Sequence, residues 1–300
     1  MTISGSPSQS PRVVSAAEEL RTLLTEARRQ GRSIGVVPTM GALHEGHLSL
    51  VDAARKDCDL VAVTIFVNPT QFGPGEDFTR YPRTLDADVS LLSSRGVDLV
   101  FAPTTESMYG PRHATRVIVA GPSLGLEGEF RPTHFEGVAT IVLKLFNLVQ
   151  PDRAYFGSKD FQQVLVVKRM VADLDLPVDI VVCPTVREAD GLAMSSRNVY
   201  LSSAERERAL ALSRSLQHAR QLVASGTREV PALLAAMREI LRAAEAQIDY
   251  VAICDPETLA PLDTITGPAV ALIAARVGTT RLIDNLMLVE SPAPSGTPTT

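Results

Sequence analysis

The segment TMGALHEGHL (39–48) places His44 and His47 three residues apart, with Glu45 and Gly46 between them, directly after an apolar run. Two imidazoles at this spacing could ligate a metal, act as a catalytic pair, or stand on a surface without a role. The metalloprotease pattern HExxH needs an i,i+4 pair; this segment is one residue short, and no third ligand stands nearby. Position favours catalysis. Pro38 and Gly41 break a strand, so the histidines fall in the next turn and the first turn of a helix. A helix start at the carboxyl end of a parallel strand presents N–H groups and partial positive charge to an anion. Gly46 between the rings would let a flat or phosphorylated ligand lie against the backbone. Neither a Walker loop nor GxGxxG is present.

The elements that must position these residues alternate. Ser15 and Glu18 form a capping-box pattern opening an amphipathic helix that Gly31 stops. SIGVVPT (33–39) reads as a short strand, HLSLVDAARK (47–56) as a helix and LVAVTIFVN (60–68) as a strand covered on both faces. A helix at 85–95 ends at Gly96, and strands follow at 97–103 and 115–121. Then come a helix at 136–149, a strand at 153–158, a helix at 161–173 and a strand at 178–185. Such alternation predicts a doubly wound parallel sheet. From residue 186 helices at 203–225 and 230–244 precede strands at 248–256, 269–278 and 280–288, the order of a small α+β domain. The expected organisation is therefore a loose N-terminus at 1–11, an α/β domain at 12–185, a smaller α+β domain at 186–290 and a loose tail at 291–300.

The 300 residues are 45% apolar and 21% charged, with a net charge of −5, the mix of a folded domain with no electrostatic invitation to nucleic acid or an anionic membrane. Cys58, Cys183 and Cys254 are scattered and form no CxxC pair, which argues for buried thiols in a reducing compartment. The opening residues lack a basic start and an apolar core, and the longest apolar run is too short for a bilayer, so a cytoplasmic protein is expected.

PTMGALHEGH (38–47) resembles the phosphate-binding turn of the pantothenate synthetase (pantoate–β-alanine ligase) family, whose HxGH is the counterpart of the HIGH motif of class I aminoacyl-tRNA synthetases. IFVNPTQFGPGED (65–77), YPRT (81–84), RPTHFEGVATIV (131–142), FGSKDFQQ (156–163) and PTVREADGLAMSSRN (184–198) resemble the same family in the same order. The similarity spans roughly residues 12–290. It implies a Rossmann-like sheet of the class I nucleotidyltransferase type. The implied reaction is ATP-dependent condensation of pantoate with β-alanine to pantothenate, AMP and pyrophosphate through a pantoyl adenylate, with Mg2+ present and the enzyme a homodimer.

Joining two anions requires cations in a partly desolvated cleft and alignment of the reacting atoms, without a covalent enzyme nucleophile. His44, His47, Lys159 and Arg197 are the expected positive and catalytic groups. The resemblance implies a proton donor at His47; the residue types alone leave proton transfer open. The ATP site implied comprises Met40, Gly41, Ala42, Leu43, His44, Glu45, Gly46 and His47 in the turn, Gly157, Ser158, Lys159 and Asp160 after the later strand, and Val186, Met194, Ser195, Ser196 and Arg197. Lys159 is a point charge for the triphosphate and Asp160 an acceptor for ribose hydroxyls. Glu45 reads as capping or solvent-facing, since an acid beside phosphate is unfavourable. MSSR (194–197) is similar to the KMSKS loop, two hydroxyls and a guanidinium that can follow a triphosphate through its transition state. Met40, Asn68, Gln71 and Gln163 are implied for pantoate and β-alanine, the glutamines as neutral groups that both donate and accept. Asp88 is implied as a magnesium ligand; Ala87 stands where the family often has an acid, and Ser158 where it often has Glu. Two other functions fit the same motifs: a nucleotidyltransferase that keeps the nucleotide in its product, or a catalytically silent nucleotide-binding module.

Overall fold

The computed structural model describes residues 10–290. The expected loose tail at 291–300 and most of the loose N-terminus lie outside the described residues; Ser10 and a buried Pro11 lead straight into a strand. The chain forms two compact units, the first running to Val186 and including Met194–Ser196, the second made of Arg187–Ala193 and the residues from Arg197 onward.

The first unit is built on six parallel strands, β1 (Arg12–Val14), β2 (Ile34–Thr39), β3 (Leu60–Ile65), β4 (Leu99–Phe101), β5 (Arg153–Gly157) and β6 (Asp179–Cys183). Their order is β1-β4-β3-β2-β5-β6. The helices are α1 (Ala17–Arg29), α2 (Glu45–Asp57), α3 (Leu85–Ser94), the short α4 (Thr105–Met108) and α5 (Glu127–Phe130), α6 (His134–Val149) and α7 (Phe161–Asp173). Alternate strand residues face opposite ways. Val36, Ala62, Ala154 and Phe156 pack with Leu20 and Leu24 of α1, Val138 and Val142 of α6 and Val167 of α7. Val37, Val61, Val63 and Tyr155 pack with Leu48 and Val51 of α2 and Leu92 of α3. Burial on both faces explains why β2 and β3 read as nearly continuous apolar runs. The chain lays β3 and β4 to one side of β2 and then places β5 on the other. The switch point between β2 and β5 is where open parallel sheets bind ligands, beyond the carboxyl ends.

Two local expectations are corrected. The strand expected at 115–121 does not form; the backbone N–H of Val117 donates to Thr140 Oγ1 of α6 at 2.9 Å, and Arg116 pairs with Glu136 of the same helix. Its alternating pattern reflects packing along a helix, with Ile118 exposed and Val119 buried. The sheet edge goes instead to β1, three residues long and too short to announce itself by periodicity. The Ser15–Glu18 capping box is absent: α1 begins after Ala16, with no side-chain cap.

In the second unit, α8 (Ser203–Ala224) and α9 (Val230–Ala243) pack on an antiparallel sheet of β7 (Gln247–Cys254), β8 (Ala269–Val277) and β9 (Thr280–Val289). Leu216, Leu233 and Met237 meet Ile253 and Ile273 in its core. A capping box does form here, Ser202 with Glu205. Cys58, Cys183 and Cys254 are free and buried. Among the described residues no helix is long and apolar enough to cross a membrane.

Candidate active site

The turn after β2 is built by hydrogen bonds that also set where the histidine protons sit. His44 is the N-cap of α2, and its Nδ1 accepts from the Gly46 N–H at 3.2 Å. The His44 N–H in turn donates to His47 Nδ1 at 3.4 Å, and the two ring centroids lie 4.1 Å apart. A backbone N–H is only ever a donor, so both Nδ1 atoms are unprotonated acceptors and each neutral ring carries its hydrogen on Nε2. Burial, then the neighbouring His44, then Lys159 lower the pKa of His47 from the ordinary 6.5 to about 3. His47 is therefore neutral near pH 7. Without ligand the ring of His47 is thus an oriented neutral donor and not the cation expected from its residue type. A Cβ at Gly46 would lie 2.9 Å from Nδ1 and Cε1 of His44, so glycine makes room for the ring.

Ahead of the histidines, Gly41 (φ 81°) and Ala42 (φ 50°) are successive left-handed residues. Their conformation aims the N–H groups of Ala42 and Leu43 at one anion. That anion is Asp88: Oδ2 accepts from Ala42 at 3.0 Å and Oδ1 from Leu43 at 2.8 Å, while the Thr84 hydroxyl lies 3.3 Å from both oxygens. Asp88 is 1% exposed. Both of the oxygens expected to face magnesium thus point at the turn. Among the described residues no group of three or more His, Cys, Asp or Glu side chains could hold a metal ion. Glu45 pairs with Arg95 at 2.8 Å and is largely exposed.

Lys159 and Asp160 follow β5 in a single 3-10 turn (Ser158–Asp160) and are half-buried with Gly157 and Ser158. Lys159 and His47 thus arrive from the two strands flanking the switch point, near enough for the ammonium to depress the imidazole. Ser158 Oγ lies 3.1 Å from Thr185 Oγ1, tying the ends of β5 and β6 together. The Met194 N–H donates to the Val186 carbonyl at 3.0 Å, and Ser196 Oγ donates to the Ala42 carbonyl at 3.0 Å. The segment Met194–Ser196, with Ser195 inside it, therefore rests on the histidine turn. Arg197 belongs to the second unit and lies in the 3-10 turn Ser196–Tyr200.

Beyond β3 a second cluster forms around two neutral amides, Asn68 and Gln71. Asn68 (1% exposed) caps the 3-10 turn Pro69–Gln71. Its Oδ1 accepts from the Tyr109 hydroxyl at 2.8 Å, from Thr70 Oγ1 at 2.9 Å and from the Thr70 N–H at 3.3 Å. Its Nδ2 must then face the other way, where it donates to Gln71 Oε1 at 3.0 Å and the Gly137 carbonyl at 3.1 Å. Gln71 consequently presents Nε2, 3.1 Å from Met40 Sδ. The Gln71 carbonyl accepts from His134 Nδ1 at 3.0 Å and from Arg131 at 3.3 Å, and Arg131 is held by Glu76 through bonds of 2.9 and 2.6 Å. Gln163 is half-buried in the first turn of α7, whereas its neighbour Gln162 is buried and bonds the 122–127 segment.

Residue types alone pointed to His44, His47 and Lys159. They missed Tyr109, whose hydroxyl acts 41 positions away on Asn68. Gly137 was legible in principle. A lone glycine inside an apolar helix marks a close approach, and a Cβ there would lie 2.6 Å from the backbone of Thr70 and Gln71.

The profile of the family described as pantoate-beta-alanine ligase matches residues 12–287. The pantothenate synthetase of Moorella thermoacetica is 56% identical over 270 residues, covering 90% of this chain and 95% of that protein. That of Roseiflexus sp. is 55% identical over 278 residues, covering 92% and 99%. The crystal structure of pantothenate synthetase from Thermus thermophilus aligns with a TM-score of 0.89 at 52% identity, over 93% of this chain and 100% of that one. A pantoate-beta-alanine ligase from Francisella tularensis, complexed with beta-gamma ATP and beta-alanine, aligns with a TM-score of 0.78 at 33% identity, over 93% and 98%.

Proposed function

The chain belongs to the pantoate–β-alanine ligase family, and from that premise we infer that it condenses pantoate with β-alanine at the expense of ATP. In the first step a pantoate carboxylate oxygen bonds to the α-phosphorus and the bond to pyrophosphate breaks. In the second the β-alanine nitrogen bonds to the acyl carbon, the bond to AMP breaks, and pantothenate is released.

The observation that carries this reading is the histidine pair itself: two Nε2–H donors, fixed by backbone N–H groups on Nδ1, beside Lys159 at the sheet's switch point. Fixed donors beside developing phosphate charge stabilise a transition state without reorganising. Neutral rings suit the task because they donate before any proton is taken up. We assign the triphosphate to His44, His47 and Lys159, with the guanidinium of Arg197 and the hydroxyls of Ser195 and Ser196 added from the family likeness of the MSSR segment. Asp160 is assigned the ribose, Val186 and Met194 the adenine. Pantoate is assigned to Gln71 and Gln163 beside Met40 and Asn68, the Gln71 amide donating to an oxygen of the acid. Magnesium belongs in this reading as the companion of ATP, held by its phosphates; the donor set around Asp88 does not fit a metal. A homodimer in the cytoplasm belongs to the same proposal, and sedimentation of the purified protein tests the dimer.

Exchange of labelled pyrophosphate into ATP tests the assignment. Exchange that needs pantoate but not β-alanine, with free AMP later formed equal to pantothenate, is the expected result. Absence of pantoate-dependent exchange, or a product that retains the nucleotide, would overturn it.

A further inference from the structure

We propose that Asp88 is a positioning residue for the adenylation step, clamping the turn that carries His44 and His47, and that it is not a magnesium ligand; this rests on the ligase reading above. Ala42 is a non-glycine residue in the left-handed region directly after a left-handed Gly41. Such a pair persists only where its surroundings hold it. Asp88 supplies the hold by accepting from both successive N–H groups, at 3.0 and 2.8 Å. The fit is close: a Cβ on Gly41 would lie 3.0 Å from Asp88 Oδ2 and 3.1 Å from Ile65 Cγ2, so a side chain at residue 41 would press on the carboxylate. The clamped peptide faces the chemistry on both sides. The Ala42 carbonyl receives Ser196 Oγ at 3.0 Å, and one residue beyond Leu43 the His44 N–H sets the Nδ1 of His47. A shift of the Ala42–Leu43 peptides therefore moves both imidazoles and the seat of Ser196 together.

A magnesium ligand would have to offer an oxygen to a strictly octahedral ion and its waters. Asp88 is 1% exposed, and each of its oxygens faces one backbone N–H and the Thr84 hydroxyl. The two roles give opposite metal responses. Asp88→Asn turns an amide N–H toward a backbone N–H. Pantoate-dependent pyrophosphate exchange should fall by about 10- to 100-fold, as misplaced catalytic groups do. The KM for pantoate and the Mg2+ concentration for half-activation should stay within about twofold, and neither excess Mg2+ nor Mn2+ should restore the rate. In metal-free protein the ring 15N resonances of His44 and His47 should shift. Thr84→Val, which keeps the carboxylate but loosens it, should show the same pattern at two- to fivefold and decides the matter if Asp88→Asn fails to fold. A raised Mg2+ requirement with the rate recovered at saturating metal, or wild-type exchange rates in both variants, overturns the proposal. Wild-type protein without pantoate-dependent exchange would instead overturn the ligase reading, and the metal-free ring shifts would still test the clamp.

Discussion

Two clusters occupy the carboxyl ends of adjacent strands and are held in different ways. Beyond β2 the working groups are titratable rings whose proton positions are set by backbone N–H groups, on a turn held by one buried carboxylate. Beyond β3 they are neutral amides whose orientation is set by a buried run of hydrogen bonds from Tyr109 through Asn68 to Gln71. In the function proposed above, the first cluster meets the charge that shifts at phosphorus, and the second holds and orients pantoate. Damage to the first should therefore appear in turnover, and damage to the second in substrate affinity and stability.

The largest expected effect breaks the first cluster. His44→Ala or His47→Ala should lower kcat by about 10²- to 10³-fold, the cost of losing one fixed donor at developing charge. Calorimetry should find fold and ATP affinity largely retained; a change confined to the pantoate KM would erase the contrast between the clusters.

The next concerns the buttress of the second cluster. Burial, then Arg131, lower His134 from the ordinary 6.5 to about 4. Its Nδ1–H donates to the Gln71 carbonyl and its Nε2 faces Arg131, as a neutral ring requires. The unfolded chain takes up the proton first, so this contribution is complete above pH 6.5 and fades as pH falls to about 4. It amounts to on the order of 3 kcal/mol. His134→Asn keeps an N–H for Gln71, and urea melts between pH 7 and 5 should show a shallower loss of stability than wild type. An unchanged slope would remove His134 as the source.

Gly137→Ala would push the turn carrying Asn68 and Gln71 off α6. It should cost about 1–3 kcal/mol, as overpacking does, and raise the pantoate KM while leaving the ATP KM unchanged. Tyr109→Phe removes one of three donors to Asn68 Oδ1 and should cost about 1 kcal/mol, a few-fold rise in the pantoate KM. Steady-state kinetics with each substrate varied in turn would check both; a fall in kcat alone would place Tyr109 with the first cluster instead.

What could be read from residue order follows the same division. The buried strands and amphipathic helices announced themselves because periodicity is local, and His44, His47 and Lys159 stood at strand-to-helix handovers where chemistry is expected. Long-range partners were not legible. The hold of Asp88 on the turn was hidden because its donors, Ala42 and Leu43, are 45 or more positions away and offer backbone groups common to nearly every residue. Nor did charge follow from type: an imidazole counts as a cation until burial and a neighbouring ammonium hold it neutral. The segment at 115–121 failed because an alternating pattern records alternate burial without saying what covers it.

The central claim is that His44 and His47 are neutral rings carrying hydrogen on Nε2 before any substrate arrives. Ring 15N spectra of the ligand-free protein at pH 7 should place an unprotonated Nδ1 and a protonated Nε2 in both residues, with His47 still neutral at pH 5. A protonated Nδ1 in either ring, or a His47 that titrates near 6.5, would contradict it.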